Sequence, residues 1–138
     1  MKRKEPQYKY TYAMLLDDNE LDNFINQKII EANHFSSKIY INTGSKSALE
    51  FLTNLSISST KSANIFPEII FVDINMPMMD GFQFIENLKI KLPEKVKNLK
   101  LVILTSSVNP EDRKRANDIS LDIIFLNKPL TKEMLDQI

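Results

Sequence analysis

The chain contains no cysteine, which excludes disulfides, thiolate metal sites and a cysteine nucleophile together. Glycine is nearly as scarce: with only Gly44 and Gly81, there is no glycine-rich loop to cradle the phosphates of a nucleotide. No apolar stretch approaches the ~20 residues that span a bilayer, and no apolar segment follows the basic N-terminus as it would in a secretory signal. An excess of charge is missing as well. Lys plus Arg and Asp plus Glu number 18 each, so the formal net charge is zero, whereas a nucleic-acid binder normally shows a basic excess. The local exception is Lys2, Arg3, Lys4 and Lys9, which read as a solvated arm in preference to a binding patch. A cytoplasmic protein with no membrane and no direct nucleic-acid partner is the expectation by default.

What is present is ordinary for a soluble globular domain: 138 residues, 43% hydrophobic and 26% charged, enough for one hydrophobic core. No internal repeat or Gly/Pro-rich linker divides the chain, so the expected organisation is an N-terminal arm over residues 1–10 and one domain over 11–138. The most linker-like piece, Ser56 to Asn64, reads as a loop.

Short apolar runs alternate with longer amphipathic ones. Tyr12–Asp17, Glu68–Asp73, Leu99–Thr105 and Asp122–Asn127 are almost continuously apolar, as strands buried on both faces of a parallel sheet are. Lys38–Asn42 alternates, with Ile39 and Ile41 on one side, and reads as an edge strand. Leu21, Phe24, Ile25 and Ile29 fall at three- and four-residue spacings and predict a helix over about Asn19 to Asn33 with those residues on its apolar face. Ala48, Leu49, Leu52 and Leu55 mark a second helix. Phe82, Ile85, Leu88 and Leu92 mark a third, ended by Pro93. Asn109–Pro110 reads as an N-cap followed by proline at the first helical position of a fourth helix, whose main apolar positions are Ala116 and Ile119. A fifth begins near Leu130. Strands alternating with helices predict an α/β doubly wound fold: a five-stranded parallel sheet with right-handed crossovers and helices on both faces. The flavodoxin-like order 2-1-3-4-5 is the common one for this count.

In such sheets ligands bind outside the carboxyl ends of the strands. Strand one ends in Asp17–Asp18, strand three in Asp73, strand four in Thr105, and Lys128–Pro129 follows strand five. Three carboxylates at close range raise one another's pKa unless a cation shares the site. A small hard divalent ion, Mg2+ or Mn2+, resolves that conflict with carboxylates, waters and a phosphate oxygen as ligands. Such a site holds a carboxylate nucleophile for phosphoryl transfer at Asp73, while Lys128 supplies a second positive charge and Thr105 a hydroxyl donor. Taken singly, each piece has a plainer explanation: Asp17–Asp18 as a helix cap, Thr105 as structural, Lys128–Pro129 as a turn with a solvated lysine. Their joint occurrence on one rim carries the chemical reading.

The segments Leu15-Leu16-Asp17-Asp18, Val72-Asp73-Ile74-Asn75-Met76-Pro77-Met78-Met79-Asp80-Gly81, Leu104-Thr105-Ser106-Ser107 and Phe125-Leu126-Asn127-Lys128-Pro129 resemble the signature blocks of response-regulator receiver domains (CheY-like) of two-component signalling. The similarity runs from about Tyr12 to the last residue, in the family's order and approximate spacing. It implies that Asp73 is the phosphoacceptor, that Asp17 and Asp18 join it in the metal site, and that the backbone carbonyl of Asn75 completes the protein's metal ligands. By the same match Thr105 and Lys128 contact the phosphoryl group, and Thr105 and Phe125 form the switch that alters the face of the fourth helix, fifth strand and fifth helix. The family implies a histidine kinase or histidine phosphotransfer protein as donor, a downstream protein partner at that face, and a monomer or phosphorylation-dependent dimer. It also implies slow self-hydrolysis of the aspartyl phosphate without turnover in the usual enzymatic sense.

Two departures stand out. Phe125 lacks the hydroxyl of the tyrosine often found there, so any switching rests on ring packing. Thr131 to Ile138 allows only about two helical turns, shorter than the family's usual last helix, which leaves open trimming of a longer protein, a partner that replaces the missing turns, or natural brevity. Gly81 is expected to supply a backbone conformation other residues resist. Met76, Met78 and Met79 are expected to pack within their loop, His34 to be exposed, and Arg113, Lys114 and Arg115 to form a solvated helix face. The competing function is a pseudo-receiver that docks partners without being phosphorylated. A phosphatase with an aspartate nucleophile would want an acid two positions after Asp73, where Asn75 stands.

Overall fold

The computed structural model of the protein describes residues 6–60, 62–119 and 122–138. Lys2, Arg3 and Lys4 of the basic arm lie outside the described residues. In chain order the elements are β1 (Tyr10–Leu16), α1 (Glu20–Ala32), β2 (Ser36–Asn42), α2 (Ser45–Ser58), β3 (Ile69–Val72), α3 (Gly81–Lys91), α4 (Pro93–Val96), β4 (Lys100–Thr105), α5 (Pro110–Asp118), β5 (Ile123–Asn127) and α6 (Lys132–Gln137). The five strands form one all-parallel sheet in the order β2-β1-β3-β4-β5, the doubly wound flavodoxin-like topology.

Successive strand residues point to opposite faces, and each face builds its own core. Met14, Leu16, Ile70, Val72, Leu101 and Ile103 pack with α2, α3 and Ala116 of α5. Ala13, Leu15, Ile69, Phe71, Val102 and Leu104 pack with Ile30 of α1 and Leu135 of α6. All four residues of β3 are buried, which explains why its sequence shows no alternation. β5 departs from the expectation of burial on both faces. It is the sheet's margin, and all five of its residues are only half-buried.

Two helix boundaries differ from those predicted. α2 continues through Ser58 into the stretch expected to be a loop. Pro93 does stop α3, but it also opens the single-turn helix α4, because a proline needs no N–H partner at the first helical position. Six helices result among the described residues, and the predicted fourth and fifth are α5 and α6.

The facing of α1 overturns the periodicity argument. Of the expected apolar face, Leu21, Phe24 and Ile25 are 64%, 55% and 41% exposed and Ile29 is half-buried against the core, while Asn23, Asn26 and Ile30 are turned inward. The cause lies at the helix start. Asn19 caps α1 by accepting the Asp22 N–H at 3.1 Å, and the Asn23 side-chain amide donates to the Asp17 carbonyl at 2.8 Å. These bonds set the helix's rotation, and Ile30 two turns on supplies the apolar contact. Lys9, expected to be a solvated tail residue, donates its ammonium to the carbonyl of Ile138.

Candidate functional site

The carboxyl ends of β1, β3 and β4 open onto one rim, where the chain leaves each strand with a polar side chain. Asp17 follows β1 and is 3% exposed, Asp73 follows β3 and is 7% exposed, and Thr105 closes β4 fully buried. Asp18 beside them faces solvent. One carboxylate oxygen from each of Asp17, Asp18 and Asp73 lies within 4.8 Å of the others. Lys128 reaches into the same rim from the end of β5, held by its backbone N–H to the Thr105 carbonyl at 2.8 Å and followed by a cis bond to Pro129. Its ammonium lies 2.6 Å from Asp17 Oδ2, 2.7 Å from Asp22 Oδ2 and 3.5 Å from Asp73 Oδ2.

The electrostatics follow from that crowding. Burial raises the Asp17 pKa above the ordinary carboxylate value; hydrogen bonds from Lys128 and the Asn19 N–H oppose the rise, and the Asp73 charge adds to it. For Lys128, burial alone would lower the pKa. The bonds to Asp17 and Asp22, with the charges of Asp73 and Asp17, outweigh that effect and hold it above the ordinary lysine value. One ammonium thus faces three carboxylates, with Asp18 close to two of them, an excess of negative charge that a divalent cation with oxygen ligands fits.

The loop after β3 is shaped by a close approach. Gly81 opens α3 and donates its N–H to the Ile74 carbonyl at 3.1 Å. A Cβ there would stand 2.4 Å from the Asp73 carbonyl oxygen and 2.8 Å from Ile74 Cα. The glycine is therefore required for space, and the expectation of an unusual conformation is corrected: no glycine among the described residues has a positive φ. Met78 does (φ 68°), and it is fully exposed, whereas Met76 is buried, so the three loop methionines split between packing and display. Asn75 is exposed on this loop, and its N–H approaches Asp73 Oδ1 at 3.4 Å.

Thr105 stands on the rim with its hydroxyl accepting from the Ser107 N–H at 3.1 Å. Phe125, half-buried on β5, packs against the α2–α3 side of the core, and the Arg113 guanidinium lies 4.7 Å from its ring centroid. Arg115 lies 4.4 Å over Phe82 and 3.7 Å from Asp80. The guanidiniums of Arg113 and Arg115 lie over rings, yet both residues and Lys114 are exposed, so α5 presents the solvated basic face expected, and His34 is exposed as expected. Lys128 contacts Asp17 and Asp73 directly, an Asp18 oxygen lies within 4.8 Å of theirs, and the Thr105 carbonyl accepts the Lys128 backbone N–H. Asp22 was missed by sequence reasoning. Its signal was a carboxylate one helical turn after Asp18, which looks like any acid in the first turn of a helix.

A parallel 2-1-3-4-5 sheet with this acidic rim and its lysine defines a CheY-like receiver domain. The response regulator receiver domain family matches residues 13–138, and the chain belongs to that family. Hybrid signal transduction histidine kinase C of Dictyostelium discoideum is 30% identical over 132 residues, which cover 93% of this chain and 10% of that kinase. The chain therefore spans about a tenth of that relative's length. A two-component response regulator from Cytophaga hutchinsonii superposes with a TM-score of 0.81 at 30% identity, covering 92% of each chain. The receiver domain of the histidine kinase CKI1 from Arabidopsis thaliana, complexed with Mg2+ and BeF3−, has the same fold, with a TM-score of 0.77 at 17% identity over 91% of this chain and 85% of that one. As a receiver domain the chain is a module of the two-component signalling type. None of its described helices is long and apolar enough to cross a membrane.

Proposed function

We propose that Asp73 accepts a phosphoryl group from a phosphohistidine donor, a histidine kinase or histidine phosphotransfer protein, in a Mg2+-dependent reaction. The observation that carries this reading is the convergence of Asp17, Asp18 and Asp73 oxygens within 4.8 Å, with the Lys128 ammonium 3.5 Å from Asp73. Asp17, Asp18, Asp73 and the Asn75 carbonyl would hold the ion, which when bound neutralises charge on the phosphoryl oxygens. An Asp73 carboxylate oxygen attacks phosphorus, the P–N bond to the donor imidazole breaks, and an acyl phosphate remains on Asp73. Lys128 bonds a phosphoryl oxygen, and the Thr105 hydroxyl leaves the Ser107 N–H to donate to another. Phe125 then repacks, and the face of α5, β5 and α6 presents a different surface to a downstream protein. The domain runs from about residue 11, with Tyr10 already paired at the start of β1, to residue 138.

Acetyl phosphate or BeF3− with Mg2+ is expected to modify or perturb the wild type and leave Asp73→Asn unchanged, read by intact mass and by amide NMR shifts. Full modification of Asp73→Asn would sink the assignment. A wild type inert to both reagents would leave the pseudo-receiver reading in its place.

A further inference from the structure

An ammonium has three N–H donors, and Lys128 spends all three on carboxylates. The shorter contacts, 2.6 Å to Asp17 and 2.7 Å to Asp22, lie toward the β1–α1 side, and the longest, 3.5 Å, is to Asp73. Asp22 differs from the other two partners. It stands outside the group of Asp17, Asp18 and Asp73 whose oxygens gather within 4.8 Å, so a cation that engages Asp17 and Asp73 leaves its hold on the lysine intact. Its backbone is also anchored, because its N–H is bonded to the Asn19 cap and the next residue, Asn23, is tied to the Asp17 carbonyl. The two ends of the Lys128–Asp22 pair thus lie on separate parts of the chain, and the helix end is held by these two hydrogen bonds.

We propose that Asp22 is a positioning residue that tethers Lys128 toward α1 and restrains its approach to a phosphoryl group on Asp73. This rests on the reading of Asp73 as phosphoacceptor. Bonding between Lys128 and a phosphoryl oxygen has to compete with Asp22 for the same ammonium, so the carboxylate lowers the affinity of the site for the phosphoryl group. No proton or electron leaves the pair; only the lysine's hydrogen bonds are redistributed.

The test measures phosphorylation by acetyl phosphate at saturating Mg2+, and BeF3− affinity, in wild type, Asp22→Asn, Asp22→Glu and Glu20→Gln. Glu20 is exposed in the same first turn and has no contact with Lys128. Asp22→Asn is expected to react about fivefold faster, the factor that loss of one partly exposed ion pair can supply. Asp22→Glu should return toward the wild-type rate, and Glu20→Gln should match the wild type. The Lys128 side-chain ammonium NMR signal should shift in metal-free Asp22→Asn before any reagent is added, a change that a purely structural role would not produce. An unchanged or slower Asp22→Asn that is still modified at Asp73 overturns the tether alone. An equal gain in Glu20→Gln also overturns it, since the effect would then be general charge repulsion. Failure of every variant, wild type included, to be modified overturns the phosphoacceptor reading and the tether with it.

Discussion

Gly81 shows how one missing side chain shapes the loop that follows Asp73. Helix propensity alone would favour alanine at the start of α3 by about 1 kcal/mol. Steric contact decides against it, because the added methyl would meet the Asp73 carbonyl oxygen at 2.4 Å and Ile74 Cα at 2.8 Å, both backbone atoms that cannot step aside cheaply. Gly81→Ala is therefore expected to lose about 1–3 kcal/mol in urea unfolding, the usual range for forced overpacking, and to shift the amide resonances of Asp73 and Ile74. A variant as stable as the wild type, with those resonances in place, would mean that the loop has slack which these distances deny. At the same scale, Asp73 and Lys128 were legible from their blocks in the sequence. Asp22 was not, because its importance comes from a lysine more than a hundred residues away in the chain.

Among the elements, α1 separates what periodicity can say from what it cannot. The helix itself and its cap at Asn19 follow from the sequence, and both are present. The pattern Leu21, Phe24, Ile25, Ile29 pointed to a buried stripe, yet bonds from Asn19 and Asn23 rotate the polar side of the first turns inward. Hydrophobic spacing ranks faces by transfer free energy alone and assigns no weight to a buried amide N–H that bonds the Asp17 carbonyl, a bond kept here even though the Asn23 Oδ1 has no partner. The consequence is measurable. Ile30, wholly buried, should cost about 2–5 kcal/mol on change to alanine, whereas Leu21→Ala, 64% exposed, should stay within about 0.5 kcal/mol. Thermal or urea unfolding of the two variants compares them directly, and a costly Leu21→Ala would mean that the helix turns its apolar stripe to the core after all.

At the scale of the whole molecule, folding itself assembles the charge problem. Asp17, Asp18, Asp22 and Asp73 are spread over more than fifty residues of chain, and only the closed sheet brings three of them to a single lysine and sets Asp18 beside Asp17 and Asp73. The unfolded chain has no such cluster, so a cation that binds it stabilises the folded state by linkage, about 2.7 kcal/mol at a hundredfold excess over Kd. Unfolding at constant ionic strength is expected to shift upward with Mg2+ relative to EDTA, and Asp18→Asn is expected to lose most of that shift. It should also match or exceed the wild type's stability without metal, because one repelling carboxylate is gone. A Mg2+ shift of the same size in Asp18→Asn would remove that residue from the ion's ligands. The sequence by itself determined the alternation of strands and helices and the acidic and basic ends of the strands, since continuous apolar runs and the residues that punctuate them are local properties. Tertiary structure alone decided the strand order, the rotation of α1, the half-burial of β5 and the partners of Lys128. Each of these depends on which segments meet in space, and the free energies that settle it belong to pairs of residues far apart in the chain.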